Sequence, residues 1–433
     1  MPREMKSSGI EWIGEIPAAW DISLAFQIFQ QVKNKNEGLV EKNLLSLSYG
    51  KIKRKNIEGN GGLLPESFDG YNIIEKDDIV LRLTDLQNDH TSLRVGLVPE
   101  RGIITSAYLT LRNQSENLPR YLYYYLHTFD ICKGFYGMGA GVRQGLNWEG
   151  LKLLKITLPS VEEQKKITIF LDRTCSEIDA VIEKTKATIE EYKKLKQAVI
   201  TDAVTKGIRG DRSMKDSGIS WVSSIPADWN IKRLKTMFGF GKGLPITKEN
   251  LIEAGASVIS YGQIHSKTNT GIDIKPDLIR FVSEDYLSTN PNSLVHFGDF
   301  IFADTSEDLE GCGNNVYVGD ERQLFAGYHT ITLCSYEKID NSYLAYLFKT
   351  DCWRSQIRAK ASGVKLFSIS KKILSETSVL IPEEIERQEI VEYLNKKCAE
   401  IDKLIADKTR LLEEMESYKK SVIYEYVTGK KQV

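Results

Sequence analysis

Six cysteines in 433 residues, none of them in a CxxC pair, leave neither a disulfide frame nor a thiolate zinc site to be read. Cys132, Cys175, Cys312, Cys334, Cys352 and Cys398 read instead as reduced, mostly buried thiols of a cytoplasmic protein. Five scattered histidines give no metal spacing. No apolar run approaches the 18 or so residues that span a bilayer, and the opening MPREMKSS has no apolar core of a secretory signal. No membrane partner is expected. The phosphate loop GxxxxGK[ST] is missing, which argues against ATP hydrolysis by this chain. An excess of one charge is missing too: 58 Lys and Arg stand against 59 Asp and Glu, a net charge of −1. A protein that gripped nucleic acid alone through phosphate contacts would be visibly basic. Residues 21–157 carry 17 basic against 15 acidic side chains, and 231–380 carry 17 against 17. If nucleic acid is the ligand, other subunits supply part of the electrostatic grip.

What is present is a repeat. Residues 5–20 read MKSSGIEWIGEIPAAW and 214–229 read MKDSGISWVSSIPADW, with ten of sixteen positions identical at an offset of 209. Gly9/Gly218, Trp12/Trp221, Pro17/Pro226 and Trp20/Trp229 are among them. A second pair, 158–207 and 381–430, matches at about a third of its positions at an offset of 223. Glu177-Ile178-Asp179 there answers Glu400-Ile401-Asp402, and Val204-Thr205 answers Val427-Thr428. The second half carries 14 more residues between these ends, because the offsets are 209 and 223. Common ends with different middles describe one frame that carries two variable domains.

The shared C-terminal piece of each half is predicted as a long helix. Pro159 and Pro382 stand just ahead of it, where proline is tolerated, and some 45 residues follow without Pro or internal Gly. Sevenfold spacing runs through Ile178, Thr185, Tyr192 and Val199, and through Ile401, Lys408, Met415 and Val422. Val181, Ile182, Ile189 and Leu195 flank the first series; Leu404, Ile405, Leu411, Leu412 and Tyr418 flank the second. Such a stripe suits two helices packed lengthwise and antiparallel. The middles show short β-like runs broken by turns, at residues 78–81, 102–105, 257–261 and 299–302, with short helices at 121–129 and 343–357. The predicted class is α+β: two mixed α/β domains joined by two long antiparallel coiled-coil-like helices in a pseudo-twofold repeat. The expected division is 1–157, 158–209, 210–380 and 381–433.

With the repeat laid out, the chain resembles the specificity subunits of type I restriction-modification systems over nearly its whole length. The resemblance is carried by the SGIxW…IPxxW segments, 8–20 and 217–229, and by Pro159…Glu163-Gln164…Ile167 with Pro382…Glu386…Ile390. Arg387 departs from Gln164 of the first copy. Residues 243–247 (GLPIT) and 260–265 (SYGQIH) look like the opening of such a recognition domain. The family implies that each middle reads one half of a split double-stranded DNA target while the helices hold the readers apart. It implies that two methylation subunits dock on the frame and carry S-adenosylmethionine, and that motor-nuclease subunits supply ATP- and Mg2+-dependent translocation and cleavage. No cofactor would then be bound by this chain, and no catalysis would be its own.

Candidate DNA contacts are chosen by residue type, since base edges are met by Arg, Lys, Asn and Gln, and phosphates by Lys, Arg and Ser. The loop 139–147 offers Arg143, Gln144 and Asn147, and its counterpart 361–368 offers Lys365 and Ser368. Lys51, Lys53, Arg54 and Lys55 form a basic cluster; Tyr261, Gln263 and His265 form a polar and aromatic one. Lys242 stands in the glycine-rich stretch 238–243 (FGFGKG). That stretch resembles the turn of an S-adenosylmethionine site, but Pro245 follows almost at once and no strand–turn–helix context is clear. An amino-methyltransferase would also need an Asn/Asp-Pro-Pro-aromatic turn to hold a flipped base, and Asn290-Pro291-Asn292 is the nearest sequence. Two other functions compete with DNA reading: a coiled-coil scaffold that binds protein partners, and an autonomous DNA methyltransferase.

Overall fold

The computed structural model describes residues 3–55, 67–89, 91, 93–138 and 145–433. Helices α1 (Pro119–Ile131), α2 (Val161–Lys206), α3 (Ser342–Phe348) and α4 (Glu384–Val427) frame two compact units. One unit comprises Met1–Lys186 with Thr409–Val433, and the other Ala187–Lys408. Each long helix therefore starts in one unit and ends in the other. Ser160 caps α2 by accepting from the Glu163 N–H at 3.3 Å, and Gly207, at φ +77°, ends it in the left-handed conformation that a side chain resists.

The paired helices are antiparallel within each unit. In the second unit Lys196 pairs with Asp402 at 2.6 Å and Arg209 with Glu389 at 2.7 Å, so one number rises as the other falls. In the first unit Phe170 packs on Tyr426, ring centroids 4.4 Å apart, and Lys419 pairs with Asp179 at 2.5 Å. The expected seam is real but narrower than the sequence pattern. Ile178, Thr185, Ile401 and Val422 are buried, whereas Val181, Leu195 and Leu404 are more than two-fifths exposed.

In the first unit a hairpin of Met5–Ile10 and Gly14–Pro17 leads to Asp21–Leu24, which pairs antiparallel with Lys155–Leu158. A four-stranded sheet follows in the order Phe29–Gln31, Leu109–Asn113, Ile79–Leu81, Val95–Leu97. Trp20, Tyr121 and Tyr125 are buried in one core with Leu171 of α2 and Val422, Ile423 and Val427 of α4. Alternation of apolar residues in these strands puts one face of the sheet into that core, which burial of several aromatic rings stabilises by a few kcal/mol each, on the order of 3.

The second unit repeats the plan. Met214–Ile219 pairs with Val222–Pro226, and Asn230–Arg233 with Ser378–Ile381. Its sheet runs Phe238–Phe240, Thr330–Ser335, Phe300–Ala303, Asn315–Tyr317. It also holds a four-stranded sheet ordered Arg280–Val282, Ala256–Ile259, Leu324–Ala326, Leu294–Val295, with its second and third strands parallel. The helix expected over 343–357 is two helices, α3 and Asp351–Arg358, because Thr350 leaves the helical path and caps the second by accepting from the Trp353 N–H.

The repeat extends to single side chains. Tyr121 Oη donates to the Val427 carbonyl at 3.3 Å, and Tyr343 Oη to the Val204 carbonyl at 3.0 Å. Tyr124 Oη donates to Asp172 and Tyr346 Oη to Asn395, each at 2.7 Å. Each domain thus anchors the start of one long helix and the end of the other.

Candidate nucleic-acid interface

In the second unit, tertiary structure gathers residues that the sequence scatters. The strand Phe238–Phe240 runs on into Gly241, Lys242 and Gly243 beside its partner: the Gly241 and Gly243 N–H groups donate to the carbonyls of Thr332 and Thr330. Those are the amides that a glycine-rich cofactor turn would aim at its ligand, and here they are used between strands. A Cβ at Gly243 would fall 1.8 Å from the Gly327 carbonyl oxygen, so only glycine lets Lys242 approach residues 327–330. A cleft of about 440 Å³ lies there, lined by Lys242, Asp304, His329, Ser370, Lys371 and Lys372 among others.

The flanks of this cleft hold further expected contacts. Thr305 and Ser306 pair antiparallel with Ser368 and Phe367, and Ser362 and Ser368 exchange backbone hydrogen bonds at 3.2 and 2.8 Å. The loop so closed exposes Lys365 and Val364, the latter at 93%. Tyr261 packs edge-on against His329, centroids 5.4 Å apart, and against Tyr328 at 5.6 Å. Lys242, Tyr261, Lys365 and Ser368 therefore belong to one neighbourhood. Gln263 and His265 have internal work instead. Gln263 Oε1 accepts from the Ser260 N–H, while the ring nitrogens of His265 meet Asn314 Nδ2 at 3.0 Å and the Thr305 carbonyl at 2.8 Å. Sequence reasoning missed Asp304, His329, Lys371 and Lys372. No local sequence signal marks them; His329 has φ +55°, as six other non-glycine residues among those described have positive φ.

In the first unit the basic cluster lies on a hairpin, Leu45–Ser48 with Lys51–Arg54, turned by Tyr49 and Gly50 at φ +47° and +73°. Period-two alternation puts Leu45, Leu47 and Ile52 toward the core and Lys51 and Lys53 on the other face, exposed. Lys55 is exposed as well. Arg54 is held by a bidentate ion pair with Glu100, which raises the guanidinium pKa and lowers that of the carboxyl. Asn147 caps the short helix Trp148–Leu151 by accepting from the Gly150 N–H at 3.1 Å. Arg143 and Gln144 lie outside the described residues.

Behind the hairpin a cleft of about 550 Å³ is lined by Lys51, Arg120, Tyr123, His127, Asp172 and Lys419 among others. Burial drives His127 down to about 4, with the Lys419 charge adding to the effect, and pushes Tyr123 up to about 12. The second unit places Lys349 at the corresponding point, near Cys398, Asp402 and Lys196 where His127 has Lys419. Its ammonium donates to the Thr270 carbonyl, and burial lowers it to about 8.

The two units are dissimilar β-rich domains on repeated helices, and each presents exposed cationic and polar side chains, as a recognition domain does. Comparison with known proteins gives the particular class. The family model for the type I restriction modification DNA specificity domain matches residues 32–191 and 226–414. The chain belongs to that family, and its role is DNA sequence recognition in a type I restriction-modification system. It is 23% identical to the type I restriction enzyme MjaVIII specificity subunit of Methanocaldococcus jannaschii, over 96% of this chain and 93% of that one. The putative type I restriction enzyme MjaX specificity subunit of the same organism is 25% identical, over 96% and 95%. In fold, the chain is similar to one solved in work on complex assembly and conformational transition of the type I R-M system, with TM-score 0.70 and 14% identity over 95% and 98%. It is also similar to the HsdS subunit from Thermoanaerobacter tengcongensis, with TM-score 0.50 and 14% identity over 96% and 98%. Among the described residues no helix is long and apolar enough to cross a membrane.

Proposed function

We propose that each unit reads one half of an asymmetric, split duplex target, and that the chain contributes recognition without catalysis. The observation that carries this reading is the contrast between matched frames and unmatched middles. Identical readers on a repeated frame would select a palindrome, whereas different readers select two unlike motifs separated by unread bases. Lys51, Lys53, Lys55, Arg143, Gln144 and Asn147 are the candidate contacts of the first half-site. Lys242, Tyr261, Lys365 and Ser368 are those of the second, with Arg54, Gln263 and His265 in supporting places. Two methylation subunits dock on the frame and carry S-adenosylmethionine; motor-nuclease subunits use ATP and Mg2+. The near-neutral charge of both middles agrees with a DNA grip shared among subunits. Mapping of methylated adenines in a host that carries the chain with its methylation partner tests the proposal. Two short motifs at a fixed separation are expected, and a single continuous motif overturns it.

A further inference from the structure

We infer that Asp304 and His329 of the second unit together read one G·C base pair, while Lys242 and Lys372 seat the phosphates beside it. The inference rests on the reading of this unit as a DNA reader and assigns its specificity to two residues. His329 Nδ1 lies 3.4 Å from Asp304 Oδ1, a buried oxygen with no hydrogen-bond partner among the described residues, so the part of the carboxylate that can meet a base edge is the side away from it. Both side chains reach the surface, at 58% and 33% exposure, in the cleft that also carries Lys242, Lys371 and Lys372. The cationic cleft attracts a phosphodiester, but a carboxylate at the same place repels one. Asp304 is therefore suited to a different group, an amino N–H on a base edge.

The base follows from the order of groups in the major groove. Cytosine N4–H lies at one end of the G·C pattern, with guanine O6 and N7 beyond it on one side only; adenine N6–H lies between two acceptors, adenine N7 and thymine O4. A carboxylate that approaches adenine N6–H meets lone pairs on both sides. At cytosine it meets acceptors on one side, and an imidazole N–H can satisfy guanine there. An acceptor and a donor held side by side, as Asp304 and His329 are, complement G·C.

The pair is held before DNA arrives. The Asp304 N–H donates to the His329 carbonyl at 3.1 Å, Gly327 N–H to the Ile259 carbonyl at 2.7 Å, and Tyr261 N–H to the Tyr328 carbonyl at 3.3 Å. Tyr261 and Tyr328 contact the imidazole edge-on at 5.4 and 6.1 Å. His329 has φ +55°, a left-handed backbone that histidine adopts more readily than most side chains do. A pre-set geometry loses less entropy on binding than a mobile side chain does.

The test uses the chain assembled with its methylation subunits, duplex-binding titrations and methylated-site maps. His329→Gly removes the imidazole and relieves the positive φ, so the variant folds; Asp304→Asn removes the charge. Each is expected to lower discrimination at one G·C pair of one half-site about tenfold or more and to leave the other half-site unchanged. Lys242→Ala and Lys372→Ala are expected to weaken all duplexes alike and to reduce the salt slope by about one each. Unchanged discrimination in both His329→Gly and Asp304→Asn, or relaxation at an A·T pair, overturns the assignment while DNA reading stands. Absence of any sequence-specific binding by the unaltered assembly overturns the DNA-reading function itself.

Discussion

The buried carboxylate of Glu386 accepts the indole N–H of Trp229 at 3.0 Å, and its repeat counterpart Glu163 accepts that of Trp20 at 3.1 Å. Each glutamate also pairs with an arginine two residues ahead of the repeated N-terminal segment, Arg212 for Glu386 and Arg3 for Glu163. The segment that follows or precedes a domain is thereby fastened to the first turn of a long helix. The two fastenings differ in burial: Glu386 is 1% exposed and Glu163 is 24% exposed.

That difference sets an order of stabilities. Glu386→Ala leaves a buried indole donor unpaired and removes one of two carboxylates from Arg212, at a cost of about 3–5 kcal/mol. Glu163→Ala, nearer solvent, is expected to cost on the order of 1–2 kcal/mol. Denaturant midpoints of the two variants measure both. Equal midpoints would show that burial does not set the strength of this contact.

Acid stability carries a signature of His127 and Asp130. Burial lowers His127 to about 4, so its contribution is present above the unfolded value near 6.5 and is lost as pH falls from there to about 4. Burial raises Asp130 to about 6, so its contribution is present at low pH and is lost as pH rises from about 4 to about 6. The two slopes oppose each other between pH 4 and 6. His127→Leu removes one of them, and the variant should gain on the parent by up to about 3 kcal/mol on acidification from pH 6.5 to 4. Thermal midpoints across that range check the sign.

Helix length should set the spacer between half-sites. A seven-residue insertion in α2 near Glu190, matched by one in α4 near Lys408, keeps the sevenfold seam and adds about 10 Å at 1.5 Å per residue. DNA rises about 3.4 Å per base pair, so the tolerated spacer should lengthen by about three pairs with both half-sites unchanged. A folded insertion variant that methylates only the original spacing refutes the ruler.

Circular permutation should be tolerated. Lys430 Nζ donates to the Glu15 carbonyl at 2.7 Å and Tyr424 Oη to the Trp12 carbonyl at 3.1 Å, so the end of α4 meets the N-terminal segment as the end of α2 leads into 214–229. A short flexible link from Val433 to Met1, with the chain opened near Gly210, should leave the methylated sequence unchanged. Gly210 is exposed, and a Cβ there would meet nothing within 4 Å. A permuted chain that assembles yet loses one half-site would falsify the expectation that joining these ends leaves both readers in place.

The frame was legible in the chain because repetition is chemical identity: tryptophans, prolines and glutamates recur at fixed offsets, and Trp20 with Glu163 makes the same contact as Trp229 with Glu386. Long helices announce themselves through an unbroken apolar period, since local geometry alone puts every third or fourth residue on one face. The break at Thr350 was hidden, because a capping side chain needs only one residue out of an otherwise helical pattern. The proposed reading surface was hidden more deeply. Asp304 and His329 are 25 positions apart and carry no shared motif; strand pairing between Phe300–Ala303 and Thr330–Ser335 brings them side by side. Residue type alone put His265 and Arg54 among the contacts, yet the fold gives one to Thr305 and Asn314 and the other to Glu100. Which polar side chain is free to meet a ligand depends on what its neighbours in space have already taken, and those neighbours come from distant parts of the chain.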